Sequence, residues 1–305
     1  MYAFIIRRIM TIPITLLLVT FVTFIVLRVT GDPVQIYLDI NATAEQTEIL
    51  RQRLNLDRPL IVQFGLFVAD ILRGDFGDSL QFATPALPVV IGRLGATLTL
   101  VSTALVVAVI LGVAAGILAA IRKDRMSDFL LSALAVAGQS MPSFWLGILL
   151  IQLFALDLRW LPTSGMGSPL HLVLPSLTLA AFLLPNFILI TRTAVLETIN
   201  ELFVTTARAK GASEWSIMFR HILPNAINPV LSFLGLQMGR LVGGSIITET
   251  IFAWPGIGSL MIRSIFQRDV PVVIAAVFIV SIAIVLANLL IDILQSLVDP
   301  RMRLD

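Results

Sequence analysis

Residues 94–121 read LGATLTLVSTALVVAVILGVAAGILAAI, a run that contains no charged side chain. At a rise of 1.5 Å per residue these 28 residues form a helix of about 42 Å, longer than the roughly 30 Å hydrocarbon layer of a bilayer. Polar and apolar residues do not alternate along the run, so it predicts a membrane-spanning helix and not a barrel strand. This segment therefore indicates an all-α membrane protein.

Further apolar runs indicate a polytopic helix bundle of about six transmembrane helices. The first run follows Arg7 and Arg8 and precedes a poor cleavage site, so it is typical of an uncleaved signal anchor. Pro175 and Pro185 make one run the weakest, although membrane helices tolerate proline when neighbours satisfy the freed carbonyls. The five runs besides 94–121 lie at about 9–29, 129–156, 172–191, 226–251 and 272–297.

The composition agrees with lipid as the main solvent of the chain. Of 305 residues, 57% are hydrophobic and only 13% are charged, against about 25% charged in soluble domains. The formal net charge of +2 gives no indication of nucleic-acid binding. The chain has no cysteine, which excludes disulfides and thiol catalysis, and its two histidines, His171 and His221, are too far apart in sequence to predict a metal site.

Basic residues concentrate in one alternate set of the segments that connect the spans. By the positive-inside rule, this asymmetry predicts that both termini are cytoplasmic. The residues in the predicted cytoplasmic segments are Arg7, Arg8, Arg122, Lys123, Arg125, Arg192, Arg208, Lys210, Arg220, Arg301 and Arg303.

The predicted extracytoplasmic segment 30–93 contains two helix signals. Thr43-Ala44-Glu45-Gln46 is a capping-box pattern that opens a short helix. A second amphipathic pattern begins at Leu60 and ends at Gly74. Its helix is expected either to lie on the membrane surface or to pack onto the rest of the protein.

Two spans have small residues at every fourth position, which lets helix backbones approach closely in lipid. The pattern predicts close helix packing, within one bundle or between two. The residues are Ala104, Ala108, Gly112, Gly116 and Ala120 in one span and Gly235, Gly239 and Gly243 in the other.

The segment between the fourth and fifth spans is longer than a connection requires. Residues 205–226 read TTARAKGASEWSIMFRHILPNA. We expect a helix over 197–210 that ends at Gly211, and a second short helix capped by Ser213. A helix–turn–helix of this kind on the cytoplasmic side indicates contact with a partner.

The same stretch, continued to Val230, resembles the EAA loop of ABC importer permeases. Gly211 and Leu223-Pro224 occupy the positions of that pattern and Ala207 matches its second alanine, whereas Thr205-Thr206 replace the glutamate and first alanine. Other motifs extend the resemblance over nearly the whole chain, to the first permease subunit of dipeptide, oligopeptide, glutathione and nickel importers. These include LRGDFGDSL, MPSFWLGILL, ETIFAWPGIGSL and NLLIDILQSLVDPRMR.

The resemblance implies a non-catalytic subunit in the bacterial cytoplasmic (inner) membrane. It implies four partners besides lipid: a second homologous permease, two ATPase subunits that use ATP and Mg²⁺, and an extracytoplasmic substrate-binding protein. The residues independently agree that this chain holds no nucleotide cofactor, because a Walker A loop needs a lysine after glycine and neither Lys123 nor Lys210 follows one. The residues assigned to ATPase coupling are Thr206, Ala207, Arg208, Ala209, Lys210, Gly211, Leu223 and Pro224.

We therefore expect an alternating-access permease for peptides, with 1–93 as an anchor plus extracytoplasmic segment and 94–305 as a core that carries the coupling loop at about 197–225. The alternative is the same transporter with nickel chelate, glutathione or oligosaccharide as its cargo. A proton-coupled secondary transporter is the alternative class, but it requires inverted repeats and mid-membrane carboxylates. An intramembrane hydrolase would require a nucleophile–base pair, which the sequence does not indicate.

Four polar residues within the spans are candidates for the pathway or a gate. Arg240 lies near mid-bilayer, where a charge faces a cavity or a partner; it either binds a cargo carboxylate or pairs with the second permease. Glu249 joins an outer gate, contacts the binding protein, or lies at the solvated interface. Asn288 and Asp292 share a face of the last span, where they line the pore or join helices through hydrogen bonds.

Overall fold

The computed structural model describes residues 2–30, 43–53 and 55–298. Helices dominate this described part, in agreement with the predicted all-α class. They are α1 (Tyr2–Thr30), α2 (Ala44–Arg53), α3 (Leu60–Leu72), α4 (Ala86–Ile121), α5 (Met126–Gln139), α6 (Ser143–Leu150, extended by a π-helical stretch over Ile151–Asp157), α7 (Leu170–Thr198), α8 (Leu202–Ala209), α9 (Glu214–Ile217, extended by a π-helical stretch over Met218–Ile222), α10 (Leu223–Ile251), α11 (Ile257–Phe266) and α12 (Val270–Val298).

Each of the six predicted apolar runs lies in helical structure. Among the described residues, α4, α7 and α12 are each long and apolar enough to cross a membrane. Two more spans result if bent pairs are counted: α5 and α6 meet at 107°, and α10 bends by 57° between Gln237 and Gly239. The apolar part of α1, Met10–Val26, is shorter.

The described chain forms two compact units, of which the larger comprises residues 94–259 and 286–298. Helix α7 is its most buried element and packs against α5, α6 and α10. The core brings together apolar residues from α4, α7, α10 and α12 and the segment after α10. Its buried members are Leu100, Val101, Ala104, Ala108, Leu179, Ala180, Leu183, Phe187, Val230, Leu241, Trp254 and Ile291.

The small residues of α4 are explained within this unit. A Cβ atom added at Gly112 would lie 2.4 Å from the Cβ of Phe187, and one added at Gly116 would lie 2.6 Å from the Cβ of Thr191. Any larger residue would push α4 and α7 apart, so the close packing predicted for this span occurs inside the chain. In α10, by contrast, a Cβ at Gly239 or at Gly243 would meet no atom within 4 Å.

The smaller unit comprises residues 2–93 and 260–285, so 260–285 group with the N-terminal part that we expected to end at residue 93. The predicted capping box is present: Gln46 N–H donates to the Thr43 hydroxyl, and Thr43 N–H donates to the Gln46 side chain. Helix α3 packs on α1, with the Phe64 ring 5.4 Å from that of Phe21 and 5.5 Å from that of Phe24. The amphipathic helix thus uses one face for internal packing, the second of the two predicted roles.

Candidate functional site

The coupling loop divides differently from the sequence expectation. The prediction of a single helix over 197–210 is wrong in one respect, because α7 ends at Thr198 and α8 begins only at Leu202. Glu201 adopts an extended conformation with φ −71° and ψ 148°, which breaks the helix, and the Asn200 amide donates to the Leu196 carbonyl. The loop therefore carries a separate short helix.

Gly211 ends α8 as predicted. It adopts a left-handed conformation with φ +79°, which costs glycine little and other residues more. Its N–H donates to the Arg208 carbonyl at 2.9 Å, and the Ala212 N–H donates to the Ala207 carbonyl at 3.2 Å. The predicted cap of the next helix is also confirmed, because the Ser213 side chain accepts a hydrogen bond from the Ser216 N–H.

An ion pair closes the turn between α8 and α9. The Arg208 guanidinium donates from Nε to Glu214 Oε1 at 2.8 Å and from a terminal nitrogen to Oε2 at 3.1 Å. Because the carboxylate accepts both hydrogen bonds, the pKa of Arg208 is raised above its ordinary value. Arg208 is thus engaged within the chain, whereas Lys210 is exposed.

One side of the loop is bound to the bundle by apolar packing. Val204 and Ile217 are fully buried, and they share a cluster with Val195 of α7 and Ala120 of α4. The cluster also contains Ala194, Ala207, Met218, Ile222 and Ala226. Close-packed side chains therefore connect α8 and α9 to the ends of α4, α7 and α10.

The other side of the loop exposes four large apolar residues, Leu202, Phe203, Trp215 and Phe219, which we call the coupling patch. Leu202 is 83% exposed and Trp215 is 74% exposed. The Trp215 and Phe219 rings lie 4.2 Å apart between centroids. Large exposed apolar side chains on a connecting segment indicate a contact with another protein or with the membrane. Sequence reasoning did not select them, although Trp215, a large aromatic residue in a segment predicted to be cytoplasmic, was the available signal.

The described structure separates two of the four pathway candidates, Arg240 and Glu249. Arg240 is exposed and Glu249 is fully buried, on opposite faces of α10. Asn288 of α12 is half-buried, and its Oδ1 atom is buried without a hydrogen-bond partner among the described residues. Asp292 follows one turn later and is half-buried.

Glu249 is the centre of a buried hydrogen-bond network. Its carboxylate accepts from the Thr97 hydroxyl at 2.7 Å and from the Ser259 N–H at 2.9 Å. The Thr97 hydroxyl also accepts from the Ile257 N–H at 2.8 Å. Since the first N–H groups of a helix lack partners within the helix, Glu249 and Thr97 together cap the N-terminus of α11. The alternative of interfacial solvation does not fit a fully buried carboxylate.

A second polar contact escaped sequence reasoning. The Arg192 guanidinium near the end of α7 donates to both carboxylate oxygens of Asp128, at 2.6 and 2.8 Å. The Asp128 side chain, in the first turn of α5, is only 6% exposed. Opposite charges at the ends of two predicted spans, beside segments predicted to be cytoplasmic, were the signal. The pair fixes α5 against the helix that leads into the coupling loop.

Comparison with known proteins places this fold and loop in a family. The family model "Binding-protein-dependent transport system inner membrane component" matches residues 112–304. The model of the corresponding N-terminal membrane component matches residues 1–101. The chain belongs to the inner-membrane permease family of binding-protein-dependent transport systems.

Relatives and solved structures agree with this family. The permease is 40% identical, over 99% of each chain, to the glutathione transport system permease protein GsiC of Escherichia coli K12 and to that of Salmonella typhimurium. It matches an inward-facing structure of the MetNI methionine ABC transporter with a TM-score of 0.58 at 18% identity, over 69% of this chain and 96% of that one. The latter likeness shows the helical permease fold.

The family settles the general role of the chain. It is a non-catalytic, multi-pass inner-membrane subunit of an ABC importer in the peptide and nickel branch, and it acts with other transport components. The predicted permease family and the predicted all-α membrane fold are thus confirmed.

Proposed function

We propose that this permease forms half of a translocation pathway for peptides, including dipeptides and oligopeptides, and works by alternating access. The relatives named as glutathione permeases support a peptide cargo, because glutathione is itself a tripeptide. Glutathione, nickel chelates and oligosaccharides carried by the same transporter are the alternative cargoes.

The proposed assembly contains a second homologous permease and two ATPase subunits that bind and use ATP and Mg²⁺. Both termini lie in the cytoplasm, as the distribution of basic residues predicts. An extracytoplasmic binding protein delivers the cargo and docks against the 30–93 segment, of which residues 31–42 lie outside the described part.

The coupling patch is the observation that carries this proposal. It lies on a loop whose opposite side is packed into the bundle, so closure of the ATPase subunits against the patch would move α4, α7 and α10 together. Thr206, Ala209 and Lys210 are exposed on the same loop, whereas Ala207 is buried beneath it. Leu223 and Pro224 begin α10 and transmit the movement to it.

Substitution of Gly211 tests the coupling role. A Cβ at this position would meet no atom within 4 Å, so in this chain the constraint is the positive φ alone. We expect Gly211→Val to reduce ATP-driven peptide uptake strongly in membrane vesicles, with normal insertion. Gly211→Asn separates the effect of backbone conformation from the effect of side-chain volume, because asparagine adds a side chain but tolerates the left-handed conformation.

If the backbone conformation alone matters, the Asn variant retains uptake. If the docked ATPase subunit also needs the space, both variants lose uptake. Normal uptake by Gly211→Val would contradict the coupling role of the loop.

A further inference from the structure

We infer that Arg240 binds the carboxylate of the cargo during translocation and so favours peptides with a free C-terminal acid. The inference rests on the proposed peptide function and deepens it. It starts from the position of Arg240, 14 residues into the predicted 226–251 run and 11 residues before the end of α10. At 1.5 Å per residue this is near the middle of the bilayer.

The depth of Arg240 in its span argues against lipid as its neighbour. A charged side chain at this depth costs several kcal/mol unless it faces water or a counter-charge. Nevertheless Arg240 is exposed, and in the described part of the chain it has no ion-pair partner. The only acid of α10 is Glu249, which is buried on the opposite face and bonded to Thr97 and Ser259. The described residues therefore supply no counter-charge to Arg240.

The face around Arg240 resembles the wall of an aqueous path and not a lipid-facing surface. Every third or fourth residue of α10 is exposed, and polar or small residues predominate among them. The exposed surface of α5 is instead rich in large apolar residues such as Phe129, Leu130 and Leu134. The exposed positions of α10 in this stretch are Ser232, Leu236, Gly239, Arg240, Gly243, Ile247 and Thr250.

Space beside the guanidinium is available for a ligand. Gly239 and Gly243 flank Arg240 on this face, and no atom lies within 4 Å of a Cβ added at either position. Helix α10 also bends next to Gly239, and in transporters bent or broken helices near the midplane line substrate cavities. A guanidinium binds a carboxylate with two parallel hydrogen bonds, so the group favoured at this position is the free acid of a peptide.

The test uses the complete transporter, with its partner permease, ATPases and binding protein, in proteoliposomes. Uptake of glutathione, trialanine and trialanine amide is measured for wild type, Arg240→Gln and Arg240→Lys. Leu236→Gln is the matched control, because it adds the same amide one turn away on the same exposed face. Loss of a charged hydrogen bond predicts that Arg240→Gln lowers uptake of the two acids about tenfold. Uptake of the amide should change little, Arg240→Lys should recover part of the acid uptake because it keeps the charge but not the paired hydrogen bonds, and Leu236→Gln should affect acid and amide uptake alike.

The contrary outcomes are distinct. Equal losses of acid and amide, or loss of the partner permease when the Arg240→Gln complex is purified, would show pairing with that subunit and overturn the inference. Unchanged uptake of the acids by Arg240→Gln would overturn it as well. If wild type imports the acids but not the amide, acid uptake by Arg240→Lys that is no higher than acid uptake by Arg240→Gln overturns the inference. A wild-type transporter that imports no peptide contradicts the proposed function instead.

Discussion

At the scale of single residues, the Asp128–Arg192 contact shows how charge serves structure at the membrane edge. The Arg192 side chain is 26% exposed and that of Asp128 only 6%, so the pair is partly withdrawn from water. Its bidentate geometry compensates for the lost hydration more fully than a single contact would. The Arg208–Glu214 pair has similar hydrogen bonds, but its side chains are 41% and 72% exposed.

Substitutions in the two pairs should therefore differ in cost. We expect Asp128→Asn to lower the free energy of unfolding by about 2 kcal/mol, because Arg192 then loses its counter-charge in a partly buried place. Adding Arg192→Gln to that variant should restore part of the loss. Arg208→Gln is the control and should change stability little, since solvent screens the exposed pair. Thermal unfolding in detergent measures all four proteins, and equal losses from the two pairs would contradict this account.

At the scale of helices, the attachment of α11 depends on glycine. A Cβ added at Gly258 would lie 2.7 Å from the Cα of Ile246 and 2.9 Å from a Glu249 carboxylate oxygen. The first of these is a backbone atom that cannot rotate away. The glycine thus allows α11 to approach α10 closely enough for Glu249 to cap it.

We expect Gly258→Ala to destabilise the protein by about 1–3 kcal/mol through overpacking. Gly95→Ala in α4 is the matched control, because a Cβ there meets no atom within 4 Å. Comparison of the two melting temperatures checks the prediction. A Gly258→Ala protein that melts with the control would show that α11 is attached in another way.

The same scale shows where sequence reasoning succeeded and where it failed. Long apolar runs predict helices because lipid permits few other structures, and all six runs lie largely in helices, one of them interrupted at residues 140–142. The break at Asn200-Glu201 was missed because it contains neither glycine nor proline. The sharp bend between α5 and α6 was also missed, although Pro142 restricts the residue before it and was a visible signal.

At the scale of the whole molecule, ordered motifs predicted the family, but the sequence did not predict the buried contacts. The motif residues Glu249 and Ser259 lie more than 150 residues after Thr97 in the sequence, yet a hydrogen-bond network joins all three. Such pairings depend on how helices pack, which periodicity along one helix does not reveal. The coupling loop could be located from its local pattern, whereas its apolar outer surface required the structure.

Cross-linking from the coupling patch tests the central claim that a partner ATPase docks on this patch and drives the movement of the permease. The protein has no cysteine, so Phe203→Cys places a single thiol on the patch. Trp160→Cys is the control, because it places a single thiol outside the patch, at a tryptophan that is 67% exposed. In the assembled transporter, a short thiol-reactive cross-linker should join position 203 to the ATPase subunit and leave position 160 unlinked. Failure to capture the ATPase from position 203, or equal capture from position 160, would contradict the account.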